Sequence, residues 1–467
     1  MYRLRQLNDA AHFSQQITFE ALTQILPQTL IERILEGCSA NEERTRKLPA
    51  VLTVWLVILM HLFSNIGLQA VLVRMARGTR LLAGLGVEAL ANKASISKAR
   101  YRLGSLPLQC LFEFLCQPLA TSATKGAFQF GLRLVAIDST LEHAAATPEN
   151  LAFFGTAYNS LAFPLVRCLY LCECGTHAIF DAVFSPFFEG DRRHALTLLR
   201  SVTADMLVMW DRGLYSLKMV REVLEQGSHV LCRLSEPIQP EFKRRLRDGS
   251  FLALIFPTHN RHQIRQQAIT VRVLEYTFHD PNRPGHNDIH RLLTTLLDPI
   301  AYPARDLVCL YHERWEIELV IDEIDTHQRL LSNPLRSHKP EGIIQELYGV
   351  LIAHYLVRAV MHQSAQVHDL DPDQLSFSHA VRLITDAVAD FQLIVREFHP
   401  QLWQRLLSDL AHFRLPPRDN RINPRVLKKK QSKYLVKRPQ HEHPPQPTRT
   451  FRESVVLLKA RARTSRP

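Results

Sequence analysis

The sequence predicts an α/β protein. Its core of strands and helices is interrupted by a mostly β insertion, preceded by an all-α N-terminal region, and followed by helices and a basic tail. Three observations carry this. Apolar residues recur at three- and four-residue spacing over residues 1–125, with few turn signals between them. From residue 130 short apolar runs alternate with helical stretches, the pattern of a mixed or parallel sheet. From about 235 to 300 that alternation gives way to turn clusters and β-branched residues.

In the N-terminal region, periodic apolar residues run from Phe19 and again from Val51 to Val73. Pro49 suits the first residue of the second helix. The most apolar stretch, Ala50 to Phe63, has 14 residues and includes Thr53 and His61. A bilayer needs about 20, so this is read as a buried helix and no membrane partner is expected. A basic cluster follows, from Lys93 to Gly104. Ser95 or Ser97 suits its N-cap and Gly104 its C-cap. Its Lys98, Arg100 and Arg102 are candidates for phosphate contact, against the plainer reading of a solvated helix face.

In the core, Leu132 to Ile137 reads as a strand ending at Asp138, and Met206 to Trp210 as one ending at Asp211. Pro164–Leu171, His177–Phe184 and Val230–Leu234 are further strands; Asp191–Ser201 and Leu214–Gln226 are helices. The insertion contains Asp248-Gly249, the alternating run Gln267–Tyr276 and the polar turn His279–Gly285. Helix resumes over Pro303–Leu331, Glu341–Gln363 and residues 370–413. The expected division is therefore 1–125, 126–365 with its insertion, 366–415, and a tail from 416 to 467.

Charge is uneven. The chain has 57 Lys and Arg against 45 Asp and Glu, a net +12. From Arg414 to Pro467 there are 16 basic and 3 acidic residues, which leaves 41 and 42 for the rest. The basic excess thus belongs to the tail. That tail also holds 8 of the 26 prolines and is expected to be extended or disordered. Lys428, Lys429 and Lys430 are read as part of a flexible phosphate anchor. The eight cysteines include no CxxC pair, and the first residues lack the apolar core of a signal peptide. Both features fit reduced thiols in a cytoplasmic protein. Cys168, Cys172 and Cys174 share strand parity with Tyr170, which favours a buried face over a zinc site. The absence of a Gly-rich nucleotide loop excludes that route to phosphoryl chemistry.

Three acids stand out. Asp138 and Asp211 each follow a buried strand, where an unpaired charge is costly and where open α/β sheets bind ligands. The third comes from the stretch Tyr311 to Asp325. Read as one helix at about 100° per residue, it places Tyr311, Arg314 and Glu318 in one sector, with Asp322, Asp325 and Arg329 near it. Glu316 and Glu323 point away. A cluster of carboxylates suits hard divalent cations, and Arg suits a phosphate clamp. Taken singly, each acid also fits a helix cap, a turn or a salt-bridged surface.

Together these residues resemble the DDE transposases of bacterial insertion sequences, in the branch named after insertion sequence four. The matching segments are LVAIDST around Asp138, MWDRGLYS around Asp211 and YHERWEIEL leading to Glu318. Tyr311, Arg314 and Glu318 match the family pattern Y-x2-R-x3-E-x6-K in type and spacing. The flanks TRKLPAVLTVWLVI and NPLRSHKPEGIIQELYGVLIAHYLVRA resemble the family as well, so the likeness covers about residues 20 to 365.

The resemblance implies an RNase H-like catalytic domain over 126–365 and an N-terminal DNA-binding domain that recognises terminal inverted repeats. It implies Mg²⁺-dependent cleavage and strand transfer, with Asp138, Asp211 and Glu318 holding two Mg²⁺ ions that Mn²⁺ can replace. Tyr311 and Arg314 would position phosphate. The partners would be double-stranded DNA, both inverted repeats and target, and a second copy of the chain in a synaptic homodimer associated with the nucleoid. One position departs: the family Lys is Asp325 here. An acid there would repel phosphate, and Arg329, one turn on, is the expected substitute. That departure also motivates a rival reading, a catalytically inactive, transposase-derived DNA-binding protein. No Trp lies in the insertion, so base stacking there is not carried over.

Overall fold

A computed structural model describes residues 2–7, 16–41, 46–157, 163–235, 237–259, 262–263, 265–283, 285–329, 334–415, 426–427, 435–436 and 446–458. By its contacts the chain divides into two units. The first comprises Met1–Gln129, Arg133–Ser201 and Trp315–Leu415; the second comprises Phe130–Leu132, Val202–Arg314 and Pro416–Pro467.

The first unit is organised around one helix, Pro340–Val367, whose residues are buried over most of its length. It is apolar on all sides, so neighbours surround it. Ala50–Leu59, Leu106–Leu115, Phe377–Leu393 and His399–His412 pack against it. It is long and apolar enough to cross a membrane, and 94% of its most apolar window is buried inside the protein. Gly349 marks its closest approach to Ala50–Leu59. A Cβ there would stand 2.8 Å from the Val57 carbonyl oxygen and 2.8 Å from Val57 Cγ1. Pro49 takes the N-cap of Ala50–Leu59 rather than the first turn.

The basic cluster forms the helix Lys93–Leu103. Gly104 ends it at φ +69°, as expected. Its N-cap is Asn92, not Ser95 or Ser97: the Asn92 side chain accepts from Ser95 N at 2.9 Å. Asn caps as well as Ser does and stands just ahead of the first helical residue.

The same unit carries an antiparallel sheet of β1 (Leu132–His143), β2 (Leu165–Glu173) and β3 (Ile179–Pro186). The helix Asp191–Leu198 packs on β2 and β3. Strand β1 does not stop at Asp138, as the apolar run suggested. Pairing with β2 continues to His143 opposite Leu165, which puts Asp138 in mid-strand opposite Tyr170. The polar run Ser139–His143 remains a strand because β2 supplies its hydrogen bonds. Cys168, Cys172 and Cys174 are all buried, as the parity argument expects.

The second unit begins with β4 (Met206–Trp210), the helix Leu217–Glu225 and β5 (His229–Arg233), parallel to β4. The insertion adds β6 (Glu241–Arg245), β7 (Phe251–Ile255), β8 (Ile269–Phe278) and β9 (His290–Thr294). All pair antiparallel, in the order β5-β9-β8-β7-β6. Arg272 of β8 is fully buried, paired with Asp248 and donating to Ser250 Oγ at 2.8 Å and the Tyr302 carbonyl at 2.7 Å.

The tail is not wholly extended. Phe451–Ser454 is a helical turn with a capping box from Thr450 and Glu453, and β10 (Val455–Leu457) pairs with β8. Asp280 accepts from Thr448 N at 3.1 Å and Arg449 N at 3.2 Å, and Phe451 stacks on His312 at 4.2 Å. Composition marked this segment as polar, but the end of β8 beyond its pairing with β7, Tyr276–Phe278, gives it a partner. Lys428, Lys429 and Lys430 lie outside the described residues.

Replacing Gly349 with Ala forces the two helices apart. We expect a loss of about 1–3 kcal/mol, read as a lower urea midpoint than wild type. An unchanged midpoint would show that the helix contact has slack.

Candidate active site

Each candidate acid is held by its own element. Asp138 sits half-buried on β1, and its Oδ1 accepts from Ser139 N at 2.8 Å. Glu318 is half-buried on the helix Trp315–Asp322. Both belong to the first unit. Asp211 directly follows β4 in the second unit, as expected. Its Oδ1 accepts from Gly213 N at 2.8 Å and Leu214 N at 3.2 Å, which closes a tight turn. Gly213 fits that turn because a Cβ there would press to 3.1 Å from the same Oδ1.

Tyr311 and Arg314 lie in the second unit, as Asp211 does. The Tyr311 hydroxyl donates to the Trp210 carbonyl at 3.2 Å, one residue before the acid. Its pKa is raised, chiefly by burial. The Arg314 guanidinium stands 5.8 Å from the centre of the Tyr311 ring, and the residue is only 4% exposed. The continuous helix expected from Tyr311 to Asp325 is absent. Ala304–His312 ends first, Arg314 N closes a tight turn on the Tyr311 carbonyl at 3.3 Å, and a new helix starts at Trp315. From Glu323 to Gln328 the chain winds as a π-helix. A single helical projection therefore does not relate Tyr311 and Arg314 to Glu318.

Asp325 and Arg329 fall elsewhere than their expected role. Arg329 is buried and paired with Glu142 of β1, with Asp325 Oδ1 3.9 Å away. Burial and the neighbouring Glu142 carboxylate push the Asp325 pKa up to about 9. The raised pKa favours the protonated form of Asp325, and Arg329 is paired with Glu142. The expected repulsion of phosphate by Asp325, and its repair by Arg329, are both corrected. Glu142 follows Asp138 by four residues on β1, so the two share a strand face.

Glu316 and Glu323 do point away, into a buried cluster. His177 Nε2 lies 2.8 Å from Glu316 Oε2 and 3.3 Å from Asp373 Oδ1. These three ligand atoms lie within 4.8 Å of one another, close enough in principle to hold a metal ion. Sequence reasoning missed His177 and Asp373; the only local signal was the Gly175 turn before His177. Burial and Arg358 oppose a charged His177, while Glu323, Asp373 and Glu316 outweigh them and push its pKa up to about 9. With a charged imidazole favoured between these acids, the cluster has the make-up of an ion network.

The basic helix is also corrected in part. Arg100 is buried. Its guanidinium donates to Gln345 Oε1 at 2.9 Å, Ser337 Oγ at 3.0 Å and Glu346 Oε1 at 3.1 Å. Arg102 donates to the Leu48 carbonyl at 3.3 Å. Lys98 is exposed.

The mixed sheet and β insertion fit a DDE transposase with an RNase H-like core, the class that the family matches show. Residues 16–113 match the insertion element 4 transposase N-terminal family, and residues 129–356 match the transposase DDE domain. Transposase InsG for insertion sequence element IS4 of Escherichia coli (strain K12) is 30% identical over 429 residues, covering 89% of this chain and 93% of that protein. The putative transposase InsZ of the same strain is 24% identical over 230 residues, 47% of this chain and 74% of its own. Among solved structures, the piggyBac transposase synaptic complex with hairpin DNA aligns over 89% of this chain and 88% of its own, at 12% identity and a TM-score of 0.42. This chain belongs to the IS4 family of insertion-sequence DDE transposases. Membership implies the use of a divalent metal.

A neutral Asp325 has a signature in pH. Its folded pKa near 9 lies above the unfolded value of about 4, so the native state retains a proton that the unfolded chain releases. That contribution to stability falls as pH rises through this window. Asp325→Asn lacks it, so the variant should gain stability relative to wild type between about pH 4 and 9. Urea midpoints measured across that range check this; a constant difference would mean Asp325 is ionised.

Proposed function

We propose that this chain binds the terminal inverted repeats of its element as a homodimer, cuts the DNA at the element ends and joins the released 3′-hydroxyl to target DNA. The observation that carries the reading is the tie of Tyr311 to the Trp210 carbonyl. It ties a buried aromatic, with the Arg314 guanidinium near its ring, to the residue before Asp211, and a phosphate held at Asp211 would meet that ring. Family membership supplies the class of chemistry.

Asp138, Asp211 and Glu318 are assigned as the metal ligands. The donor set fits: three half-buried carboxylates offer hard oxygen atoms of the kind Mg²⁺ and Mn²⁺ prefer. A divalent pair bound there would activate the attacking hydroxyl and stabilise the leaving oxygen. The protein's own groups do the rest. Arg314 supplies a fixed, forked cation for a non-bridging phosphate oxygen, and its burial strengthens that contact. Tyr311 keeps the end of β4 in place, and the tight turn at Gly213 holds the Asp211 carboxylate. The rival reading, an inactive transposase-derived DNA-binding protein, would bind the ends without cutting them.

Asp138→Asn, Asp211→Asn and Glu318→Gln are each expected to cut cleavage of a labelled end fragment by about 10³-fold or more while end binding persists. Full strand transfer by any of the three would remove that residue from the site. For the tail, replacing Lys428, Lys429 and Lys430 together by Gln should reduce the slope of log affinity against log salt by about 2–3. An unchanged slope would show that these lysines do not meet phosphate.

A further inference from the structure

With Arg100 turned inward, the adjoining flank of the helix Lys93–Leu103 faces out. Lys93, Ser97 and Tyr101 recur every four residues and form one exposed stripe on it. They line one wall of a groove of about 1080 Å³ within the first unit. The segment Arg336–Glu341 lines another, including exposed His338. Lys339 is exposed, and its Nζ lies 5.5 Å from the centre of the Tyr101 ring. Lys339 is also the N-cap of Pro340–Val367 and makes no side-chain cap bond, so the positive end of that helix adds to the lysine charge.

The lining cations divide into two kinds. Arg100 is paired with Glu346, and Arg336 donates to the Ile66 carbonyl at 3.0 Å and the Ser64 carbonyl at 2.5 Å, so both serve the walls. Lys93 and the adjacent Lys339 are left to act on a ligand. The acid in the lining, Glu341, accepts from Ser105 N at 3.4 Å. Lysines flanking an exposed aromatic ring suit a single strand of nucleic acid, with phosphates on the lysines and a base or sugar on the ring. The volume is that of a site for a ligand somewhat larger than drug-sized, enough for a few nucleotides of one strand.

We propose that this groove holds a short unpaired stretch of DNA, with phosphates on Lys93 and Lys339 and a base against Tyr101. The proposal rests on the DNA-transposition reading above and adds a single-strand site to it. The test uses the full chain and a fluorescent oligothymidylate about 12 nucleotides long, with a blunt duplex of the element end as the second probe. Wild type should bind both. Lys93→Gln and Lys339→Gln should each lower the salt slope for the oligothymidylate by about 0.7, and Tyr101→Ala should weaken it roughly tenfold. All three positions are exposed, so unchanged thermal melting confirms that the variants fold. Binding of the duplex with no binding of the single strand, or variants that match wild type on it, would overturn the groove alone. A wild type that binds neither probe would overturn the DNA reading as well.

Discussion

Glu323 brings a charge into the interior of the first unit, and the surrounding elements are arranged to keep it paired. Arg358 forms an ion pair with it and donates from Nε at 3.0 Å; His354 Nε2 lies at 3.0 Å and His177 Nδ1 at 3.1 Å. Burial alone would raise its pKa, but Arg358 and His177 overcome that and hold it well below the usual carboxylate range. A buried carboxylate with one partner removed is strongly destabilising, so these partners cannot drift independently. The result is a fixed joint. The long helix supplies Arg358 and His354, the turn between β2 and β3 supplies His177, and the stretch after Glu318 supplies Glu323. Glu316 reinforces it through His177. With that side of the chain committed to the interior, Glu318 is left on another side, half-buried. The π-helix from Glu323 to Gln328 is the backbone adjustment that accompanies the joint, and such turns recur at functional sites.

The same economy explains the arginines. Arg100, Arg329 and Arg358 are each buried on a carboxylate distant in sequence: Glu346, Glu142 and Glu323. Their charges are spent inside the fold. Lys93, Lys98 and Lys339, by contrast, are exposed. A guanidinium with its planar fork is the cation better suited to buried pairs, whereas a strongly hydrated ammonium stays in water. Asp325 follows the same logic from the acid side. Crowded against Glu142 with one arginine between them, it keeps its proton.

Much of the architecture was legible because it follows from local pattern. The order of strands and helices, the mostly β insertion, the buried cysteine face and Asp211 at the end of β4 all follow from apolar periodicity and turn residues. The errors share one cause. The length of β1 and the structure of residues 446–458 each depend on a partner far along the chain. β2 extends β1 past its apolar run. The end of β8 gives structure to a tail that composition marks as disordered. Charge patterning located basic residues on the helix Lys93–Leu103 but could not say which of them face inward.

The sequence alone determined the class of protein, because the acids, the tyrosine and the arginine recur at characteristic spacing and need no coordinates to be seen. It also determined where helices and strands begin, within the reach of hydrogen bonds between near neighbours. Tertiary structure decided which charges remain charges. Burial and pairing set the protonation of Asp325 and His177, the occupation of Arg100 and Arg329, and the exposure of Lys93 beside Tyr101. These are properties of distance through a low-dielectric interior, and residues hundreds of positions apart meet there only after the chain has folded.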